Sequence, residues 1–538
     1  MLCSCSQMVE QSQVRVDTQP ADAHPLVDAR ATETAVPAEV GTDSAFGPAS
    51  VLTGHLHATR DGAHVDVKIT RASAAALSMD QSFHATYDGQ TWSQPLYIDG
   101  YKPGRDAVFV ATQTNEVAAF DAMTGATLWS VNLGTPVPPA NLPCTQPLNQ
   151  TYGIQSTPAI DEASRTLFTD AFVTVGDDGA TEKHLVFALS IDDGSIRAGW
   201  PVDVAAAVDG FSAIVQHQRG SLLVLNGMVY ITYSGIEYDC EPPTYHGRVI
   251  GISMADPTHV ISWAVPANRG GIWGAVASDG TSLFVSTGNT YTPGGIPDAG
   301  QTWGGGEAVI RLTQDLVFTG DTTSFFTPSN WQTLDMRDYD LGSSSPVLLD
   351  VPGANPSSLI VAMGKAGVAH LLDRSNLGGI GTGNGSTGEG LFSAALVLPA
   401  EGMKGNPAAY TTAQGQYVVF RGDAVATGCP GDASAGDLVA LKILPTSPPS
   451  FSVAWCATSQ GLGSPMVTTT DGQSNPIVWV ASAQGSNLLL GFDGDTGAAV
   501  FTGGGATMTQ VLRWTSPIVA KGRFYVGATG QLFAFGVP

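Results

Sequence analysis

An all-β fold, an eight-bladed β-propeller closed into a ring, is what this sequence predicts, and three observations carry that prediction. Segments that start on a small residue, often followed by Pro, run through apolar strands and end near an aromatic recur along the chain. Such regular recurrence marks a repeat architecture. The composition agrees, because 64 Gly and 33 Pro beside only 13% charged residues describe a chain dense in turns yet apolar enough to bury a core. The last segment stops one strand short, and a strand-like stretch of the missing kind stands upstream. At 538 residues the chain also exceeds one ordinary core, which favours growth by repetition.

Taken in order, residues 1–50 mix Gln, Thr, Asp, Pro, Val and Ala without period and read as a leader or anchor followed by a disordered tether. Residues 51–81 form a lead-in. The propeller occupies 82–538, with blades over 93–134, 156–204, 220–267, 270–326, 343–398, 405–457, 463–504 and 515–538. The eighth supplies three strands, and "SFHATYDG" (82–89) is placed to complete it. Pairing the two chain ends removes the exposed edges that an open stack would leave. Trp129, at the end of "AFDAMTGATLW" (119–129), is expected to pack between blades.

Charge and cysteine usage narrow the function classes. A formal charge of −24 disfavours phosphate backbones and anionic surfaces, so nucleic acid is not an expected partner. No run approaches the roughly 18 apolar residues of a membrane span. The last four of the six cysteines contain no C-x-x-C, and the chain has no C-x-x-C-H, so no haem is expected. Cys429 and Cys456 share one repeat, and Cys144 could meet Cys240 between neighbours; disulfides and buried thiols both remain open. "MLCSCSQ" is similar to the end of a bacterial lipoprotein signal, with Cys5 as the lipidation position, or the match is coincidental. The expected location is the bacterial cell envelope, periplasm or surface, or secretion.

"AFDAMTGATLW" and "GFDGDTGAAVF" (491–501) look like the A-x-D-x-x-T-G-x-x-x-W repeat of pyrroloquinoline quinone (PQQ) proteins, a resemblance that spans 82–538 and implies a propeller of the quinoprotein type. Four further segments follow the order seen in PQQ-dependent alcohol dehydrogenases. By resemblance, "GIEYDCEPPTYHGRVIGIS" (235–253) offers Glu237 to calcium, and "GGIWGAVASDGTSLFVSTGN" (270–289) offers Trp273 beneath the cofactor ring and Asn289 to the metal. "LDMRDYDLGSSSPVLLD" (334–350) places Asp338 at the catalytic Asp, which also faces the metal, and "GKAGVAHLLDRSN" (364–376) places Lys365 against the quinone. The chain departs from that pattern in lacking an adjacent cysteine pair, in carrying Arg337 where the family has Trp, and in its inserted "CEPPTY" (240–245).

These residue types suit the implied chemistry. Calcium takes six to eight oxygens, which Glu237 and Asn289 would share with the quinone. Asp338 would remove a hydroxyl proton, an indole would floor a flat ring, and Lys365 would balance charge on the reduced quinone. Each also has a plainer reading as a turn, cap, rim or packing residue. In "QHQRGS" (216–221), Arg219 or Gln218 is expected near the central channel, suited to an anionic group of the cofactor or to a hydrogen-bonded plug. His55, His57 and His64 are expected in a surface or interdomain loop. Two functions follow: a PQQ- and calcium-dependent oxidoreductase acting on an alcohol or sugar hydroxyl with an external electron acceptor, or a non-catalytic scaffold for a protein or glycan. The turn-rich "GGIGTGNGSTGEG" (378–390) motivates the second.

Overall fold

The computed structural model describes residues 46–143, 150–176, 181–236, 245–290, 302–398, 402–431 and 436–537. Eight sheets follow one another, antiparallel apart from one parallel edge pairing in each of two, the first running Leu96–Lys102, Arg105–Ala111, Glu116–Asp121 and Thr127–Asn132 from the innermost strand outward. Each blade predicted from the repeat is present as one sheet, and the blades form a propeller ring. The eighth, built on Ile518–Ala520, Arg523–Ala528 and Gln531–Gly536, takes its fourth strand from the N-terminal side. That strand is split: Ala85–Thr86 lies inside the expected stretch, while Ser78–Met79 pairs with the same edge before residue 82.

The D-x-x-T-G turn explains the sequence repeat. Asp121 Oδ1 accepts the Met123 and Thr124 main-chain N–H groups, and Gly125 turns the chain at φ 75°, against the backbone of His84 and Ala85 where a Cβ has no room. Trp129 then reaches across the blade boundary, donating from Nε1 to the Ile191 carbonyl at 2.7 Å and packing on Gly194 of the next blade's turn. Trp455 repeats the contact on Gly494 and Gly497. Hydrophobic clusters accordingly run between neighbouring blades; one joins Phe109 and Trp129 to Leu167 and Phe187. Within the sixth blade, Cys429 and Cys456 form a disulfide. Cys3, Cys5, Cys144 and Cys240 lie outside the described residues.

The lead-in has a role that its sequence does not announce. Residues 51–66 travel around the axis and touch the innermost strand of each blade in turn. Main-chain N–H groups of Tyr97, Ile160, Ser278, Leu348, Ala409 and Val467 donate to carbonyls of Val51, Leu52, Ala58, Thr59, Asp61 and Gly62, at 2.7 to 3.1 Å. In the third blade Thr53 Oγ1 donates to the Leu222 carbonyl, and in the eighth His64 meets the Val519 main chain. Arg60, 1% exposed, fixes the turn by donating to Val276 O, Gly54 O, Leu222 O and Thr53 Oγ1. His55 and His64 are thus buried in a channel plug, which corrects the expectation of a surface or interdomain loop; only His57, paired with Asp61, is exposed. Among the described residues no helix is long and apolar enough to cross a membrane.

Candidate functional site

The position three residues before each innermost strand's Pro, or its equivalent, faces the axis. Trp92, Gln155, Arg219, Trp273, Ser343, Lys404 and Trp514 hold that position in seven blades, and all seven line one cup. Each innermost strand keeps its direction around the ring, so the same register position recurs at the same depth. The cup is about 50 Å³. Ser221 and Thr157 lie at its base, packed on Gly54 of the plug, so the lead-in closes the floor.

Side chains from one blade bond the main chain of the next and hold this floor rigid. Thr157 Oγ1 accepts from Gln94 N at 2.9 Å, Ser345 Oγ from Ala275 N at 2.8 Å, and Ser464 Oγ from Asn406 N at 3.1 Å. Above them Arg219 stacks on two indoles, its guanidinium carbon 4.1 Å from the Trp514 ring centre and 5.0 Å from that of Trp273. Trp92 packs on Trp514 with ring centres 5.3 Å apart and donates from Nε1 to Gln113 Oε1. Lys404 pairs with Asp423 at 2.6 Å. Of the sequence-expected residues, Arg219 and Trp273 belong to this cup.

Asn289, Asp338 and Lys365 meet in a second cluster between the fourth and fifth blades. The helix Trp331–Arg337 ends on Asp338 in the left-handed region at φ 57°, which turns the chain toward Asp340. Lys365 Nζ lies 3.0 Å from Asp338 and 2.5 Å from Asp340, while Asp340 Oδ1 accepts the Asn289 N–H at 2.9 Å. Asp335 accepts both the main-chain N–H and the hydroxyl of Thr290, and Glu307 Oε2 accepts the Leu341 N–H. Burial raises the Asp335 carboxyl to about 7, and the charge of Asp340 adds to it. Burial also pushes Glu307 well above its ordinary value, with Asp340 and Asp335 adding, and lifts Asp338 against the pull of Lys365. Lys365 resists the lowering effect of burial because Asp340 and Asp338 hold its ammonium charged, above its usual range. Glu237 lies outside the described residues.

Measured against a calcium ion, the described residues alone do not make a complete ligand set. Lys365 already occupies the cation position between Asp338 and Asp340, and among the described residues no three His, Cys, Asp or Glu side chains are grouped to hold a metal. Arg219 lies over Trp273, the expected floor. Sequence reasoning missed Trp92, Gln155, Ser343, Lys404 and Trp514 in the cup, and Glu307, Asp335 and Asp340 in the acidic cluster. The cup residues were findable: "TWSQP" (91–95) and "RWTSP" (513–517) put Trp at the same offset from Pro.

No family model matches the chain, and no curated protein matches it. Solved structures do. The chain is similar to a quinohemoprotein alcohol dehydrogenase from Comamonas testosteroni at TM-score 0.59 and 15% identity, over 91% of this chain and 80% of that one. A quinohemoprotein alcohol dehydrogenase from Pseudomonas putida HK5 aligns at TM-score 0.63 and 14% identity, with the same 91% and 80% coverage. A europium-containing methanol dehydrogenase aligns at 0.59 and 14%, over 91% of this chain and 98% of that one. Strand order, ring closure and these likenesses agree that the chain is a β-propeller of the quinoprotein type.

Proposed function

We propose that this chain is a non-catalytic quinoprotein-type propeller that binds a hydroxyl-rich, glycan-like ligand in its axial cup. The observation that carries this reading is the composition of the cup: three indoles, two of them against one guanidinium, above a base of hydroxyl and amide groups. Indole faces stack on the C–H faces of sugar rings, while Arg, Asn and Gln supply the fixed planar hydrogen bonds that orient hydroxyl groups. The ring serves as a rigid frame, and the plug restricts entry to the indole-lined end. The Cys429–Cys456 disulfide supports an oxidising compartment, and the proposed location is the cell envelope, with Cys5 as the lipidation position, or secretion.

A second reading, a PQQ- and calcium-dependent alcohol or sugar oxidoreductase with an external acceptor, is favoured by one observation. Asn289, Asp338 and Lys365, chosen from separate blades, meet around Asp340. Titration of the full-length chain with saccharides, and separately with PQQ plus Ca²⁺, decides between the two. Saturable saccharide binding that is lost in Trp273→Ala supports the first; stoichiometric PQQ uptake with dye-linked activity abolished by Asp338→Ala supports the second.

A further inference from the structure

The axial cup has a hydrogen-bonding polarity, set by which amide atoms its neighbours have already taken. Gln155 Oε1 meets Nε2 of the buried His217 ring, whose Nδ1 has no partner among the described residues, so the imidazole hydrogen belongs on Nε2 and the amide oxygen accepts it. Gln155 keeps its NH₂ group for a ligand. Asn406 is fixed in the same sense from the neighbouring blade, its Oδ1 accepting the Ser345 hydroxyl at 2.9 Å and the Ser345 main-chain N–H at 3.4 Å. An N–H can meet only the amide oxygen, so Asn406 also keeps NH₂ to offer. Arg219 and Lys404 carry donors alone. These four side chains line the same cavity. Ser343 is the counterpart: its hydroxyl gives its hydrogen to the Met403 carbonyl at 2.6 Å, so toward a ligand it accepts.

Charge follows the same bias. Among the described residues no Asp or Glu lines the cup, in a chain whose formal charge is −24. Lys404 pairs with Asp423 at 2.6 Å, and Arg421 binds that same carboxylate, so two cations share one anion and a positive charge is left over beside the cavity. A wall of donors is matched best by a group that only accepts, and hydrogen bonds to an ionised oxygen are roughly twice as strong as neutral ones. We propose that the ligand of the cup is an acidic saccharide, whose carboxylate or sulfate is held by Gln155, Arg219, Lys404 and Asn406 while a sugar hydroxyl donates to Ser343. The inference rests on the glycan reading of the cup and names the chemical class within it. Neutral sugars would leave the surplus of donors and the extra positive charge without a partner.

Calorimetric titration of the full-length protein compares oligomers of glucuronic, galacturonic and mannuronic acid with their methyl esters, and a sulfated galactose oligomer with its desulfated form. At least one acidic oligomer is expected to bind saturably and at least about tenfold more tightly than its neutral counterpart, and the pair that shows it tells carboxylate from sulfate. Gln155→Glu and Asn406→Asp keep the oxygens that His217 and Ser345 bond and exchange only a donor for an acceptor. Each should abolish or reverse the preference, with near-ultraviolet circular dichroism checking the fold. Neutral forms bound as tightly as acidic ones, or a preference retained in either variant, would overturn the acidic class and leave the glycan reading standing. No heat from any oligomer, acidic or neutral, would overturn both.

Discussion

Arg219 sets the character of the axial cup. A guanidinium against an indole contributes about 0.5–2 kcal/mol, the larger value where water is excluded, and Arg219 meets two. Arg219→Ala is therefore expected to change intrinsic tryptophan fluorescence and weaken saccharide binding at least about tenfold, the cost of roughly 1.4 kcal/mol, while the melting temperature moves little. A second test concerns Asp335, whose carboxyl is raised to about 7 by burial. The folded chain holds that proton more tightly than the unfolded one, so stability is lost as pH rises from about 4 to about 7, by at most about 1.4 kcal/mol per pH unit. Asp335→Asn keeps both Thr290 contacts and removes the titration. Urea unfolding should find the variant more stable than wild type at pH 8 and equal to it near pH 4; equality at both would refute the assignment. Trp129→Phe deletes the donor to the Ile191 carbonyl and should cost about 1–3 kcal/mol in the same measurement.

Among elements, the plug 51–66 has the least local support and the widest reach. It contributes a single strand to a sheet, Ala63–Val65, parallel to Met466–Thr469, and otherwise one or two hydrogen bonds per blade. Arg60 compensates by satisfying carbonyls in the plug itself and in the third and fourth blades. Arg60→Met is expected to lower stability by about 3 kcal/mol, since the carbonyls stay buried without donors; an unchanged urea midpoint would contradict that role. These facts explain what was legible. Strand groups, the D-x-x-T-G turns and Trp129 are local patterns with a period, and each blade stood where the repeat placed it. The plug was not legible, because its partners are single residues from Tyr97 to Val519 with no pattern of their own. Asn289, Asp338 and Lys365 could be named by resemblance, yet Asp340, the residue that joins them, stood unremarked beside Asp338. The cup was legible only at Arg219 and Trp273; Trp92, Gln155, Ser343, Lys404 and Trp514 emerge when blades are aligned on Pro.

For the whole molecule, ring closure and acid sensitivity are linked through the histidines. Burial lowers His55 to about 4 and His64 to about 3, both in the plug, and holds His217 well below its ordinary value. A depressed histidine binds fewer protons folded than unfolded, so each contributes stability that is lost as pH falls from about 6.5, at up to about 1.4 kcal/mol per unit. His370 slopes the same way, while Asp335, Glu307 and Asp338, raised by burial, slope the opposite way. Thermal unfolding should therefore show a lower melting temperature at pH 5 than at pH 7, and Asp335→Asn should steepen the fall. A rise on acidification would contradict the burial of the plug.

The proposed role of the hub, a ligand held by stacking and hydrogen bonding in place of a quinone, has one decisive experiment. Isothermal titration calorimetry of the full-length protein with a saccharide panel, paired with PQQ and Ca²⁺ in parallel cells, tests it most directly. Saturable heat from a saccharide, lost in Trp273→Ala and Arg219→Ala, is expected, with no heat from PQQ. One equivalent of PQQ taken up with Ca²⁺, and no saccharide bound in its absence, would contradict it.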